Sequence, residues 1–259
     1  MLEAASHSPP GDTPLRIHII NPNTTVSMTD KIAAAARLVA GPGCEIVPAT
    51  SAMGPASIEG YYDDALALPG LLAAIAAAEA ATVDAHIIAC FDDTGVDAAR
   101  SLANAPVIGI GEAGFHMASL IAHRFSVVTT LSRSVAVIEA NLQRYGLIAR
   151  CASVRASDVA VLELEDPASG ARARISAEIG RAVREDRADA IVLGCAGMAD
   201  LAKALSDEHG VPVIDGVASA VVMAEGLARI GLTTSKAGPY AAPRPKAYTG
   251  MLAGFAPRD

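Results

Sequence analysis

The chain has 259 residues, 52% apolar and 19% charged, enough for one large domain or two ordinary ones and too apolar for a disordered chain. A net charge of -8, no tryptophan and only 3% aromatics exclude a basic nucleic-acid face and a base-stacking platform. The four cysteines, Cys44, Cys90, Cys151 and Cys195, form neither a disulfide framework nor a zinc-binding spacing.

Residues 1–14 carry Pro9, Pro10, Gly11 and Pro14 without an apolar run, and they read as a flexible leader rather than a signal peptide. Ile17-His18-Ile19-Ile20 predicts a strand that ends in Asn21-Pro22-Asn23-Thr24-Thr25, where Thr24 or Thr25 caps a helix running to 39. Gly41-Pro42-Gly43 breaks that helix, and a second strand follows at 45–48. Segment 49–64 is long, polar and glycine-bearing, which predicts a binding loop ahead of an alanine-rich helix over 66–81. The apolar run at 71–83 is too short and too polar to cross a membrane, so a soluble cytoplasmic protein without a membrane partner is expected.

A strand at 85–89, a helix over 96–104 and a strand at 107–110 come next, followed by a helix over 112–123. A strand at 125–130 leads to a helix over 133–145, closed by Gly146. After a strand at 152–155 and a polar loop, a helix spans 168–185. The series finishes with strands at 190–193 and 211–214 and helices over 198–205 and 217–232. Prolines and glycines in 233–246 predict an extended arm lying on the surface or on a neighbour.

This alternation predicts an α/β protein with parallel sheets covered on both faces. It divides into two similar halves: 15–113 together with 213–259, whose last helix returns to the first half, and 114–212. Each half carries one cysteine at the end of an apolar, β-branched run: Ile87-Ile88-Ala89-Cys90-Phe91-Asp92 and Val192-Leu193-Gly194-Cys195-Ala196-Gly197. Strand ends are where a parallel sheet presents its catalytic groups, and two thiols so placed suit opposite faces of one ligand. Cys44 and Cys151 start strands instead, and read as small buried hydrophobes.

Moving a proton from one face of a carbon to the other needs a base, an acid on the far side, and donors for the enolate between them. Cys90 and Cys195 each precede a predicted helix start, so the helix dipole is expected to favour the thiolate. Backbone N–H groups at 91–94 and 196–197 are candidate donors to the enolate oxygen. Asn23, Thr24, Thr129, Thr130, Asp92 and Asp93 end strands at the same edge. Their simpler role is capping, which is favoured for Asp93 and Thr94 and holds for Asp215 as well. The histidines (His18, His86, His116, His123, His209) form no cluster that spacing reveals, and no metal site is expected. Gly109-Ile110-Gly111-Glu112-Ala113-Gly114 fits a dinucleotide loop, but the position for its acidic partner holds Thr129-Thr130, so a tight strand-to-helix turn is expected.

Taken together, Asn21-Pro22-Asn23-Thr24, Gly54-Pro55-Ala56-Ser57-Ile58-Glu59-Gly60, Ala89-Cys90-Phe91-Asp92-Asp93-Thr94-Gly95, Phe125-Ser126-Val127-Val128-Thr129-Thr130 and Leu193-Gly194-Cys195-Ala196-Gly197-Met198 resemble the aspartate/glutamate/hydantoin racemase superfamily, in its hydantoin racemase branch. The resemblance implies a cofactor-independent racemase of two pseudo-symmetric α/β domains with the site in the cleft between them. Cys90 and Cys195 match the paired acid and base. Asn23, Phe91, Asp92, Thr129 or Thr130, Ala196 and Gly197 match substrate-lining positions, and Ile58 lies in a loop that closes over the ring. Amino-acid racemases of this kind carry Cys-Asn-Thr and Cys-Thr-His where this chain has Cys-Phe-Asp and Cys-Ala-Gly, a departure toward a neutral ring. The implied partner is a 5-substituted hydantoin, with allantoin as the alternative, and family habit implies a homo-oligomer. Maleate isomerisation, one-thiol decarboxylation, amino-acid racemisation and a binding module with inert thiols are the competing readings.

Overall fold

A computed structural model describes residues 14–257, so the leader expected at 1–14 lies outside the described residues apart from Pro14. The first sheet holds β1 (Leu15–Asn21), β2 (Cys44–Thr50), β3 (Ala85–Ile88) and β4 (Val107–Gly109), all parallel, in the order β2-β1-β3-β4. The second holds β5 (Phe125–Thr129), β6 (Cys151–Ala156), β7 (Ala190–Gly194) and β8 (Val213–Ile214), again parallel, in the order β6-β5-β7-β8. The two orders are the same arrangement, and a cysteine follows the third strand of each. Crossovers are made by α1 (Val26–Val39), α2 (Tyr61–Ala80), α3 (Val96–Leu102), α4 (Ile110–Ile121), α5 (Val135–Arg144), α6 (Ala171–Glu185) and α7 (Ala202–His209). The last helix, α8 (Gly216–Arg229), packs on α1, α4, β1, β3 and β4.

β1, β3, β5 and β7 are apolar runs because helices cover both of their faces. A shared core joins the two sheets, running from Ile17 and Ile87 through Phe91, Phe115 and Phe125 to Val192 and Val217. Phe115 is its pivot, edge-on to Phe91 at 5.3 Å and stacked on Phe125 at 6.2 Å. Truncating such a fully buried ring costs about 3–5 kcal/mol.

Several boundaries differ from expectation, each for a local reason. Helix α2 begins at Tyr61 rather than 66, because Asp63 and Asp64, which read as loop, fill a first turn where the helix N-terminus favours acids. The polar loop before α6 contains a 3₁₀ turn, Val161–Glu165, and a second one, Ala196–Leu201, precedes α7. Thr25 occupies the N-cap position of α1 without capping it: its hydroxyl donates to Ala56 O at 2.7 Å, and Asn23 Oδ1 accepts the Thr25 N–H at 2.9 Å. The C-terminal arm lies on the chain's own surface. Thr234 bonds Asn104 O and Ala105 O, and Lys236 Nζ donates to Arg100 O, in the last turn of α3, at 2.7 Å.

The histidines do organise, contrary to the reading from spacing. Register pairs His18 with His86 across β1 and β3, and their Nδ1 atoms lie 3.0 Å apart. His86 Nε2 is 2.8 Å from Glu79 Oε1, which assigns a neutral chain: His18 Nδ1–H donates to His86, and His86 Nε2–H donates to Glu79. Burial lowers both imidazoles, with His18 falling to about 4. Among the described residues no helix is long and apolar enough to cross a membrane.

Candidate active site

Cys90 follows β3 in a turn closed by Asp93 N–H donating to Cys90 O at 3.0 Å. Asp93 adopts φ +52°, costly for a residue with a side chain, and its surroundings hold it there. Its buried carboxylate accepts Gly111 N–H at 2.9 Å, Glu112 N–H at 2.8 Å and the Tyr145 hydroxyl at 2.8 Å. Asp93 therefore caps α4, as the capping reading anticipated, but across the fold rather than within its own loop. A Cβ on Gly109 would lie 2.0 Å from Asp93 Oδ1, and one on Gly111 would lie 2.4 Å from Phe91 O. The glycine motif thus makes room for the Cys90 turn, and Asp93 already fills the amide nest a phosphate would use.

Cys195 follows Gly194 directly and opens the Ala196–Leu201 turn, with Met198 N–H donating to Cys195 O at 3.1 Å. Thr129 Oγ1 donates to Gly194 O at 2.9 Å, tying β5 to β7 just before the thiol. A Cβ on Gly197 would lie 2.9 Å from Leu164 Cδ1, so glycine keeps that side open.

Both thiols line one cleft at the carboxyl ends of β1, β3, β5 and β7, together with Asn23, Ile58, Phe91, Asp92, Thr130 and Ala196. Thr129 and Gly197 do not line it: the first faces the Gly194 carbonyl and the second stands behind Cys195. Sequence reasoning missed Asn21, Pro22, Met28, Ala89, Ser134, Val161 and Gly194. Asn21 and Pro22 lay within a quoted motif, whereas nothing in Val161 or Ser134 announced a role.

The cleft is a cavity of about 30 Å³, room for about two waters. The halves are latched over it. Glu59 Oε1 accepts Val161 N–H at 2.9 Å, and Lys31 Nζ donates to Leu164 O at 3.0 Å while pairing with Glu165 at 3.0 Å. Ile58 and Val161 line the cleft beside these latches.

The expectation that helix dipoles lower both thiols is corrected. Cys90 stands well before α3, which starts at Val96 after Gly95 in the left-handed region, and Cys195 heads only a 3₁₀ turn. Burial dominates instead. It pushes the Cys90 thiol well above its ordinary value, reinforced by the Asp92 charge, and raises Cys195 to about 11. The N–H of the second residue after each cysteine, Asp92 or Gly197, offsets part of this. Asp92 is itself raised to about 7, by burial and then by Asp64 and Asp93.

Asn23 lines the cleft. Its Oδ1 accepts from Asn21 Nδ2 and Thr25 N, both at 2.9 Å, while its Nδ2 has only the weak acceptor Met28 Sδ at 3.5 Å. The amide orientation is thereby fixed, with a donor to spare toward the cleft. Asn141 Nδ2 donates to Asp92 O at 2.8 Å and steadies the other wall. No group of three metal-ligating side chains is present among the described residues.

The sequence model of the Asp/Glu/Hydantoin racemase family matches residues 17–224. A hydantoin racemase from Rhizobium meliloti is 49% identical over 236 residues, 91% of this chain and 98% of that protein. One from Pseudomonas sp. (strain NS671) is 45% identical, covering 93% of this chain and 97% of that one. The structure of an allantoin racemase from Klebsiella pneumoniae superposes with a TM-score of 0.91 at 48% identity, over 94% of this chain and 100% of that one.

Proposed function

The chain belongs to the Asp/Glu/Hydantoin racemase family and is an isomerase of the racemase type, and from that premise we propose that it racemises 5-monosubstituted hydantoins by a two-thiol proton transfer at C5. The observation that carries this reading is that Cys90 and Cys195, one from each sheet, line the same cleft.

A hydantoin C5–H lies beside a ring carbonyl, so its removal gives an enolate that delocalises onto the oxygen. The thiolate on one face takes the C5 proton: the C–H bond breaks, an S–H bond forms, and the electron pair moves into the ring. The thiol on the other face gives its proton to C5, leaving the opposite enantiomer and a thiolate where the thiol stood. The chemistry needs no electron sink beyond the ring carbonyl. Asn23 Nδ2 and Thr130 Oγ1 serve as donors to the ring oxygens, and Phe91, Asp92 and Ala196 form the walls. Ile58 and Val161 close over the ring, which excludes water and strengthens every polar contact inside. The deep, closed site also explains how buried thiols become useful: a neutral ring that brings hydrogen-bond donors and displaces water changes the environment that sets their ionisation.

The small residue Ala196, beside Cys195 in the cleft, supports a variable 5-substituent. Allantoin is a hydantoin whose 5-substituent is a ureido group, and the 48% identity to the Klebsiella allantoin racemase favours it as the second substrate to test. Polarimetry and proton NMR in heavy water on 5-benzylhydantoin, 5-isopropylhydantoin and allantoin make the test. Loss of rotation matched by deuterium at C5 is expected, and abolished by Cys90→Ser and by Cys195→Ser. Undiminished racemisation in the double variant would overturn the two-thiol reading.

A further inference from the structure

The two thiols hold equivalent places in their sheets but have different neighbours. Thr94 Oγ1 lies 2.6 Å from Asp64 Oδ1 and 3.4 Å from Cys90 Sγ. A hydroxyl has one hydrogen to give. The 2.6 Å contact with a carboxylate oxygen is the short, charge-assisted bond, and it takes that hydrogen. A Thr94 hydrogen given to the sulfur would pull the Cys90 thiol down, but Asp64 holds that hydrogen at the shorter distance, so the Cys90 S–H is left to meet the Thr94 oxygen, a contact that exists only while the thiol keeps its proton. Thr94 is 1% exposed, so water does not step in as a substitute donor.

The charges around each sulfur point the same way. Cys90 faces the carboxylates of Asp92 on its own turn and of Asp64 on α2. Cys195 faces Asp92 and Glu59 too, but it also faces the ammonium of Lys31 on α1, which Leu164 O and Glu165 hold in place. Among the described residues, no hydroxyl comparable to Thr94 takes a hydrogen bond from Cys195.

We propose that Asp64, acting through Thr94, is a positioning residue that keeps Cys90 as the thiol, so that the resting enzyme carries its acid at Cys90 and its base at Cys195. The inference rests on the two-thiol reading above. It deepens that reading by breaking the equivalence of two groups that the fold presents alike. The resting enzyme then acts first on the enantiomer whose C5–H faces Cys195. It finishes that turnover with the proton on Cys195 and the charge on Cys90, and solvent must return it to the starting state.

The test is alkylation by iodoacetamide across a pH series, with each cysteine followed by peptide mapping. The thiolate sulfur displaces iodide, so the midpoint of each rate profile reports ionisation, while the plateau reports access. In the wild type, Cys195 is expected to react roughly tenfold faster than Cys90 at pH 8 and to have the lower midpoint. Asp64→Asn places an amide donor against the Thr94 oxygen and frees the hydroxyl hydrogen for the sulfur. The Cys90 midpoint is expected to fall and its rate at pH 8 to rise roughly tenfold, with Cys195 unchanged. Thr94→Ser should retain the wild-type profile. Thr94→Val, which removes the acceptor for the S–H, should lower the Cys90 midpoint even if Asp64→Asn does not fold. A wild-type Cys90 midpoint at or below that of Cys195, or one unmoved in both Asp64→Asn and Thr94→Val, overturns the proposal. Alkylation requires no turnover, so this result stands apart from the racemisation assay on the cysteine variants.

Discussion

Gly109→Ala isolates the contact that seats the Cys90 turn. The backbone there is ordinary, φ -84° and ψ 143°, so any cost comes from space and not from conformation. The new Cβ would stand 2.0 Å from Asp93 Oδ1 and 3.0 Å from Val96 Cγ2. The Asp93 carboxylate must move by more than an ångström, which breaks its bonds from Gly111 N–H and Glu112 N–H. Charge-assisted bonds of this kind are worth about 1.5–3 kcal/mol each, so a loss of about 4 kcal/mol is expected after partial relaxation. Displacing the turn by that distance should also lower kcat about 100-fold. Urea denaturation and polarimetry measure the two effects. The control is the same substitution in an Asp93→Gly background, which removes the carboxylate while accepting the positive φ. There Gly109→Ala should cost less than about 1 kcal/mol, a coupling that a double-mutant cycle reads directly. An equal cost in both backgrounds, or a cost below about 1 kcal/mol in the wild type, refutes the reasoning.

Two further outcomes follow from the pH behaviour of the fold and from its latches. His18 titrates near 6.5 unfolded but only at about 4 in the folded chain, so its contribution is complete above pH 6.5 and is lost as pH falls toward 4, about 3 kcal/mol in all. Asp92 and Asp93, raised to about 7, act in the opposite sense and together outweigh it over the same fall, so the imidazole shows only in the difference between wild type and variant. Between pH 7.5 and 4.5 the unfolding free energy of the wild type should fall roughly 2–3 kcal/mol behind that of His18→Leu; parallel changes would remove the buried imidazole from the account. For the latch, Glu59→Gln keeps an acceptor for the Val161 amide and Glu59→Leu does not. Hydrogen exchange at Val161 should stay slow in the first and speed up about tenfold or more in the second, and equal protection in both would show that the turn is held elsewhere.

What the sequence revealed of this site follows the physics of strand ends. Ile87-Ile88-Ala89 and Val192-Leu193-Gly194 can only be central parallel strands, so the residues after them must lie at one edge, and Cys90 and Cys195 were legible for that reason. The partners of those residues were not. Asp64 meets Thr94, Tyr145 meets Asp93, and His18 meets His86 because of strand register and crossover packing, which local periodicity does not encode. Thr129 and Gly197 show the opposite failure: strand-end position and the family resemblance placed them in the cleft, whereas the Thr129 hydroxyl turns to the neighbouring strand's carbonyl. The helix-dipole argument for low thiol ionisation failed because it weighed a terminus worth about 1 kcal/mol against burial, which shifts pKa values by several units.

The repeated strand order has a kinetic consequence. Two enantiomers have equal free energy in solution, so an enzyme that interconverts them must show the same kcat/KM in both directions, whatever stands on either side of the ring. The matching sheets bring near-mirror frameworks to that task, and the dissimilar surroundings of the two sulfurs cannot tilt the final mixture. They can only redistribute each direction's specificity between turnover and affinity. The hand that the resting enzyme binds in ready form should saturate at a different concentration from its mirror image, with its maximal rate altered by the same factor.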